Sequence, residues 1–251
     1  ERYLSSYGIR EMRDAENAPR AQIRGVKQEV MIRHMRADEA VRIKYDSKYA
    51  QSSNYWKNSL GMNKCIDSVG IIRQKADFED RIQEYQKWTG YLKGKLDFEK
   101  MKNLYAKRFD ADKLSTVWRE TFSRTSEFNT RALTLIGMMP EKGSKKAKTY
   151  YSFPDNSAEW DAALDKDVQA ALIDNFRQYV AKEELPEFYT TIAEQFGGDT
   201  RKYVDWLWAT SVVMKSGKKI TLTEKALAKD PGYQYAKAVK AVYDKCRSVI
   251  N

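Results

Sequence analysis

Apolar side chains return every three or four residues along most of this chain, and charged residues fill the positions between them. That is the period of an α-helix with one buried face. Ile23, Val26, Val30 and His34 form the first stripe, and the pattern predicts a helix opening at Ala18-Pro19, where proline suits an early helical position. A second helix is predicted from about Ala37 to Leu60. Asp38 and Glu39 suit its positive N-terminal end, and Gly61 is a candidate stop. From Met62 to about Gly94, Val69, Ile72, Phe78, Ile82, Tyr85 and Trp88 keep mostly to helical steps, and Leu96 to Phe109 continues with Met101, Leu104 and Tyr105. Asp112 or Ser115 is placed to cap a further helix carrying Val117, Trp118, Phe122, Phe128, Leu135 and Ile136, which Gly137 and Pro140 end. No proline occurs between Pro19 and Pro140, which favours long helices.

Residues 141–157 break the period. Glu141 to Lys148 holds four lysines, Thr149-Tyr150-Tyr151-Ser152-Phe153 has β-type residues, and Pro154-Asp155-Asn156 reads as a turn, so an exposed irregular or short hairpin excursion is expected. Helical stripes resume near Ser157: Trp160, Leu164, Val168, Leu172, Phe176 and Val180, then Phe188, Ile192 and Phe196. Gly197-Gly198-Asp199 breaks the chain, Tyr203, Leu207 and Val213 sit on a further helix, and Gly217 with Ile220-Thr221-Leu222 marks another loop. Lys225 to Ile250 closes in helical stretches split at Asp230-Pro231-Gly232. The expectation is an all-α fold: one elongated domain over 1–251, of roughly eight to ten helices.

Composition narrows this picture. Seventeen Gly and Pro among 251 residues are too few for an all-β fold rich in tight turns. One histidine and two cysteines exclude His/Cys zinc sites and a disulfide scaffold, and no metal or cofactor is implied. Cys65 and Cys246 stand far apart, outside any Cys-x-x-Cys motif, and their pairing is left open. No apolar run is long enough to span a membrane. The net charge of +10 is uneven: residues 201–251 hold 11 Lys/Arg against 4 Asp/Glu. That region is either a solvated or docked face or a nucleic-acid-binding one. The first residues, Glu1-Arg2-Tyr3, are no initiation site, and the chain reads as a piece of a longer protein.

Few residues offer chemistry. His34 is flanked by Arg33 and Met35-Arg36, with no nucleophile or orienting carboxylate indicated, and reads as a surface or boundary histidine. Asp110-Ala111-Asp112 lacks the later ligands and the glycine of a calcium loop. Glu183, Glu184 and Glu187 read as solvated, and Gly197-Gly198 lacks the ending of a phosphate loop. The tyrosines and tryptophans at helical spacing read as core. The unusual stretch is Ser52-Ser53-Asn54-Tyr55-Trp56-Lys57-Asn58. Asn54 and Asn58 lie one helical turn apart on one face, although asparagine is a poor interior helix residue. They are either structural amides or a neutral pair of acceptors offered to a ligand such as an ammonium group.

Glu1-Arg2-Tyr3-Leu4-Ser5-Ser6-Tyr7-Gly8, Asn17-Ala18-Pro19-Arg20 and Ser52 through Asn63 together resemble the bacterial dipeptidyl-peptidase 7 and dipeptidyl-peptidase 11 family of serine peptidases, with a looser match at Trp160 to Lys166. In that family a helical domain is inserted into a chymotrypsin-like double β-barrel and caps the cleft that carries the Ser-His-Asp triad. The resemblance implies that this chain is that cap, with no catalytic residue of its own, since no Gly-x-Ser-Gly context occurs and His34 does not match the catalytic histidine. It implies a role in releasing dipeptides from free peptide N-termini, with Asn54, or Asn58 a turn later, binding the substrate α-amino group while the cap gates access. Implied partners are such peptides and the barrel of the same polypeptide. The implied location is the periplasm or cell surface, and a homodimeric parent is compatible. The alternative is a non-catalytic helical interaction module that binds nucleic acid through residues 201–251.

Overall fold

The computed structural model describes residues 3–91, 96–140 and 149–250, and its fold is all-α with one two-stranded ladder. The predicted excursion at Glu141 to Lys148 lies outside the described residues.

The first helix starts earlier than the stripe predicted. Helix α1 (Ser6–Glu11) passes into a π-helical stretch, Met12–Asn17, and then into α2 (Ala18–Ala37) without a break. Pro19 has no N–H and its ring crowds the carbonyl one turn before it. The wider turn absorbs this: the Ala18 N–H reaches back five residues to the Arg13 carbonyl. Ser5 caps α1 by accepting from the Gly8 N–H at 3.1 Å.

Asp38 caps α3 (Glu39–Val69), accepting from the Ala40 N–H at 2.8 Å. Gly61 does not stop this helix; it ends at Gly70, which takes φ 64°. The residues beyond Gly61 are held by tertiary contacts: Ile66 is buried, and the Asn63 Nδ2 donates to the Arg13 carbonyl at 2.9 Å. Gly70 also divides the segment expected to run from Met62 to Gly94, so that α4 (Ile71–Thr89) folds back before ending at Gly90.

Helix α5 (Phe98–Phe122) is uninterrupted and capped by Asp97. Neither Asp112 nor Ser115 caps a helix, because both face the interior of this longer one. Asp112 pairs with Arg108 one turn back, and Ser115 is buried. Helix α6 (Glu127–Met138) follows a turn in which Arg124 has φ 56°, and Ser126 caps it.

The β-type residues do not close a local hairpin. Strand β1 (Tyr150–Tyr151) pairs antiparallel with β2 (Ile220–Thr221), in the stretch expected to be loop. Phe153, Ile220 and Leu222 are buried beside this ladder, so apolar burial brings the two segments together across the sequence. After a 3₁₀ turn, Ser157–Glu159, α7 (Ala162–Phe176) is capped by Asp161 and stops before Val180. Helix α8 (Phe188–Phe196) ends at Gly197 with φ 62°, and α9 (Thr200–Thr210) starts from Asp199. Val213 falls in a 3₁₀ turn past α9, and a short α10 (Glu224–Leu227) precedes α11 (Pro231–Ile250).

The core sits where α2, α5, α6, α7, α9 and α11 converge. Its centre is aromatic, as the helical spacing predicted. Phe122 meets Phe176 edge-on at 5.0 Å between ring centres, Phe128 meets Tyr235 at 5.8 Å, and Phe188 stacks on Tyr189 at 4.5 Å. Each such buried ring contributes about 1.5–3 kcal/mol through the area it removes from water. Several buried polar groups inside are paired: the Trp208 indole N–H and the Tyr235 hydroxyl donate to Gln169 and Asn129 at 2.8 and 2.9 Å.

Candidate functional site

Helix α3 carries the Asn54 and Asn58 pair, and a seam with a seven-residue period sets which way they face. Tyr45, Ser52, Ser59 and Ile66 are the buried residues of this stretch and turn toward α2 and the segment before it. Small serines at two of these positions let the helix axes approach, and Trp56 fills the space beside Gly25 of α2, 3.7 Å from where a Cβ would stand. Asn54 follows Ser52 by two residues and Asn58 precedes Ser59 by one, so helical geometry turns both away from this seam. Both are exposed, and neither side chain has a hydrogen-bond partner among the described residues. Among the described residues, then, neither amide is satisfied by another group of the protein. Tyr55 between them is also exposed, with the Arg24 guanidinium over its ring at 4.8 Å.

The other residues of the conserved-looking stretches have structural work instead. The Asn17 Nδ2 donates to the Asn63 Oδ1 at 3.0 Å, Asn63 in turn donates to the Arg13 carbonyl, and the Arg20 Nη1 donates to the Asn17 Oδ1 at 3.1 Å. This network locks the π-helical stretch to the far end of α3. Near the start, the buried Glu79 of α4 accepts from the Ser6 N–H at 2.8 Å, from the Ser6 hydroxyl at 2.5 Å and from the Tyr3 hydroxyl at 2.9 Å. Burial and this carboxylate push the Tyr3 phenol up to about 12. Gly8 is required by close approach: a Cβ there would meet Leu4 and the Tyr105 hydroxyl, both at 2.9 Å. The spacing of these motifs gave no hint of the pairing, because the partners are 46 to 76 residues apart.

His34 does have a carboxylate partner that the sequence did not indicate. Its Nε2 lies 2.8 Å from Asp167 of α7, but Asp167 also binds Arg201 at 2.8 Å and Arg33 at 3.6 Å. No hydroxyl or thiol bonds to this imidazole among the described residues, so the group is an ion network joining α2, α7 and α9. Cys65 is exposed and Cys246 buried, both as free thiols. Several cations of residues 201–251 are engaged with carboxylates: Arg201 with Asp167, Lys237 with Glu224, Lys240 with Asp244 and Lys245 with Glu184.

A second concave feature opens beside α3. A cavity of about 410 Å³ lies between α2, α3, α5, α6 and α7, with Lys27, Ser52, Arg124 and Asp165 among its walls. Burial and the neighbouring Arg24 lower the Lys27 amine to about 8.

The described residues form an all-α fold with an outward-facing amide pair on α3. The comparison with known proteins supplies the family: the peptidase S46 family matches residues 1–249, and the chain belongs to it. Dipeptidyl-peptidase 7 of Porphyromonas gingivalis is 34% identical over 96% of this chain, and the Asp/Glu-specific dipeptidyl-peptidase of the same species is 28% identical over its whole length. The chain spans 35% and 36% of these two relatives, about a third of each. The crystal structure of Porphyromonas endodontalis DPP11 superposes with a TM-score of 0.73 at 17% identity, over 99% of this chain and 37% of that one. That likeness establishes the fold, in agreement with the all-α reading.

Proposed function

We infer that this chain is the helical cap of a serine dipeptidyl-peptidase, which covers the active-site cleft, helps to hold the substrate's α-amino group and gates access. The observation that carries the reading is the outward-facing, unpartnered pair Asn54 and Asn58 on α3. A neutral amide oxygen accepts a hydrogen bond from an ammonium without adding charge of its own. Such a bond to a charged group is worth roughly 1.5–3 kcal/mol. Held midway along α3, it also sets how far the peptide reaches toward the serine, which is what limits release to two residues. Membership of the S46 family and the one-third share of the relatives' length support a cap whose triad lies on the rest of the polypeptide, a chymotrypsin-like double β-barrel. On this reading the parent acts on peptides with free N-termini in the periplasm or at the cell surface.

The test is kcat/KM for dipeptide release by the full-length protein and by its Asn54→Ala and Asn58→Ala variants. A loss of tenfold or more for Asn54→Ala, with an unchanged circular dichroism spectrum, is expected. The same loss confined to Asn58→Ala moves the contact one turn along α3. Unchanged kcat/KM in both variants leaves only the steric role, and the ammonium contact is then withdrawn.

A further inference from the structure

The cavity between α2, α3, α5, α6 and α7 has cationic groups on its walls that no carboxylate answers. Lys27 of α2 lines it and makes neither a hydrogen bond nor an ion pair among the described residues. Arg119 of α5 and Arg124 of the following turn also line it, likewise without an ion pair there. Lys48 of α3 reaches the Glu159 carbonyl at 3.0 Å and stands over the Tyr45 ring at 4.6 Å.

The acidic groups of the same walls are already engaged. Glu120 of α5 is held by Arg24 at 2.8 Å and Arg20 at 3.4 Å. Glu127 of α6 is bound by Arg131 at 2.7 Å and by the Asn156 amide at 2.9 Å. Asp165 of α7 is buried and accepts from the Tyr45 hydroxyl and from the Glu127 N–H, both at 2.6 Å. Burial holds its carboxyl above the usual carboxylate range. The space is therefore left with a net positive lining.

Two independent features mark it as built for an occupant. Ser52 is only 3% exposed, lines the cavity, and its hydroxyl has no hydrogen-bond partner. A buried hydroxyl without a partner is costly, because it has given up water and gained nothing in exchange. Arg124 holds φ 56° at the rim, a left-handed conformation that a non-glycine residue keeps only where its surroundings impose it. We propose that this cavity binds the oxyanion of a small molecule, a carboxylate or phosphate group, between Lys27, the Ser52 hydroxyl and Arg124. A volume of about 410 Å³ accommodates more than a lone ion and lies within the range of small-molecule sites. This site is separate from the Asn54 and Asn58 contact and stands or falls without it.

Besides Lys27, the cavity is lined by Arg24 on the same helix, Lys48 and Tyr45 on α3, Arg119 and Glu120 on α5, Arg124 on the turn, Glu127 on α6 and Asp165 on α7. Burial lowers the Lys27 amine to about 8 and raises the Asp165 carboxyl. An oxyanion therefore binds below that value and is released as the amine loses its proton.

The experiment is calorimetric titration of the full-length protein with inorganic phosphate and, separately, with succinate. Binding of phosphate alone or of succinate alone supports the site and names the source of the oxyanion. Lys27→Met is expected to weaken binding at least tenfold, and succinate affinity in the wild type is expected to fall at least tenfold from pH 7 to 9.5. Lys27→Arg keeps the charge at both values, so it binds succinate equally at each; this variant decides the matter if Lys27→Met does not fold. The proposal is overturned if neither probe binds, if Lys27→Met binds as the wild type does, or if Lys27→Arg loses affinity with pH in step with the wild type.

Discussion

At the scale of single residues, the fate of a polar group is set by what stands opposite it rather than by its type. Asn17 and Asn63 are spent on one another and on the Arg13 carbonyl, whereas Asn54 and Asn58 face outward without a partner among the described residues. Lys27 shows the same dependence through its proton. Its value in the folded chain, about 8, lies below the ordinary 10.5. Between those two values the unfolded chain holds the extra proton, so stability associated with this site rises with pH from about 8 to 10.5. Below about 8 the full cost of the confined charge is present. Urea denaturation at pH 8 and pH 10.5, without added anions, should therefore show the wild type gaining stability relative to Lys27→Met. An unchanging difference between the two proteins would place the ammonium in water-like surroundings.

Among elements, α3 is the case in which local signals and tertiary contacts disagree. A glycine past a good helical run is a reasonable stop, yet α3 continues through Gly61 because Asn63 and Ile66 are held against the π-helical stretch. Gly70 is the working stop, since its φ of 64° is costly for any residue with a Cβ. The two glycines should respond oppositely to alanine. Gly61→Ala should stabilise by about 0.5–1 kcal/mol, because the added methyl meets nothing within 4 Å and the backbone is already helical. Gly70→Ala should destabilise by about 1–2 kcal/mol through the left-handed conformation alone. Thermal denaturation of both variants checks the pair, and a gain at Gly70 would mean that α3 does not end there. The β1–β2 ladder belongs at this scale too: the β-type residues at Tyr150-Tyr151 were visible, but Ile220-Thr221 read as loop, and the pairing of the two was not legible.

For the whole molecule, the long helices α3 and α5 each pack against α2 while the aromatic core gathers the C-terminal half around α11. Helix α11 is pressed close at Gly232, where a Cβ would collide with the Ser211 side chain, which fixes the start of α11 against the turn after α9. Under the proposed cap role, such a unit would open and close over the cleft by bending where it joins the rest of the polypeptide. Small-angle scattering of the full-length protein is accordingly expected to show a more compact particle with a bound dipeptide than without one. Superimposable profiles would leave the cap static and remove gating from its role.

The helical class, the aromatic core and the breaks at Gly197-Gly198 and Asp230-Pro231 were legible in the order of residues, because a 3.6-residue apolar period and the backbone habits of glycine and proline are local properties. So was the outward pair Asn54 and Asn58, as a spacing, and the family resemblance now supported by the match over residues 1–249. The rest depended on residues distant in sequence. The π-helical entry to α2, the passage of α3 through Gly61, the Asp167 partner of His34 and the strand partner of Tyr150 each exist because another segment supplies a bond or buries a surface there. The cationic cavity is the extreme instance, since its walls come from five helices and its charge balance follows from which carboxylates those helices had already engaged.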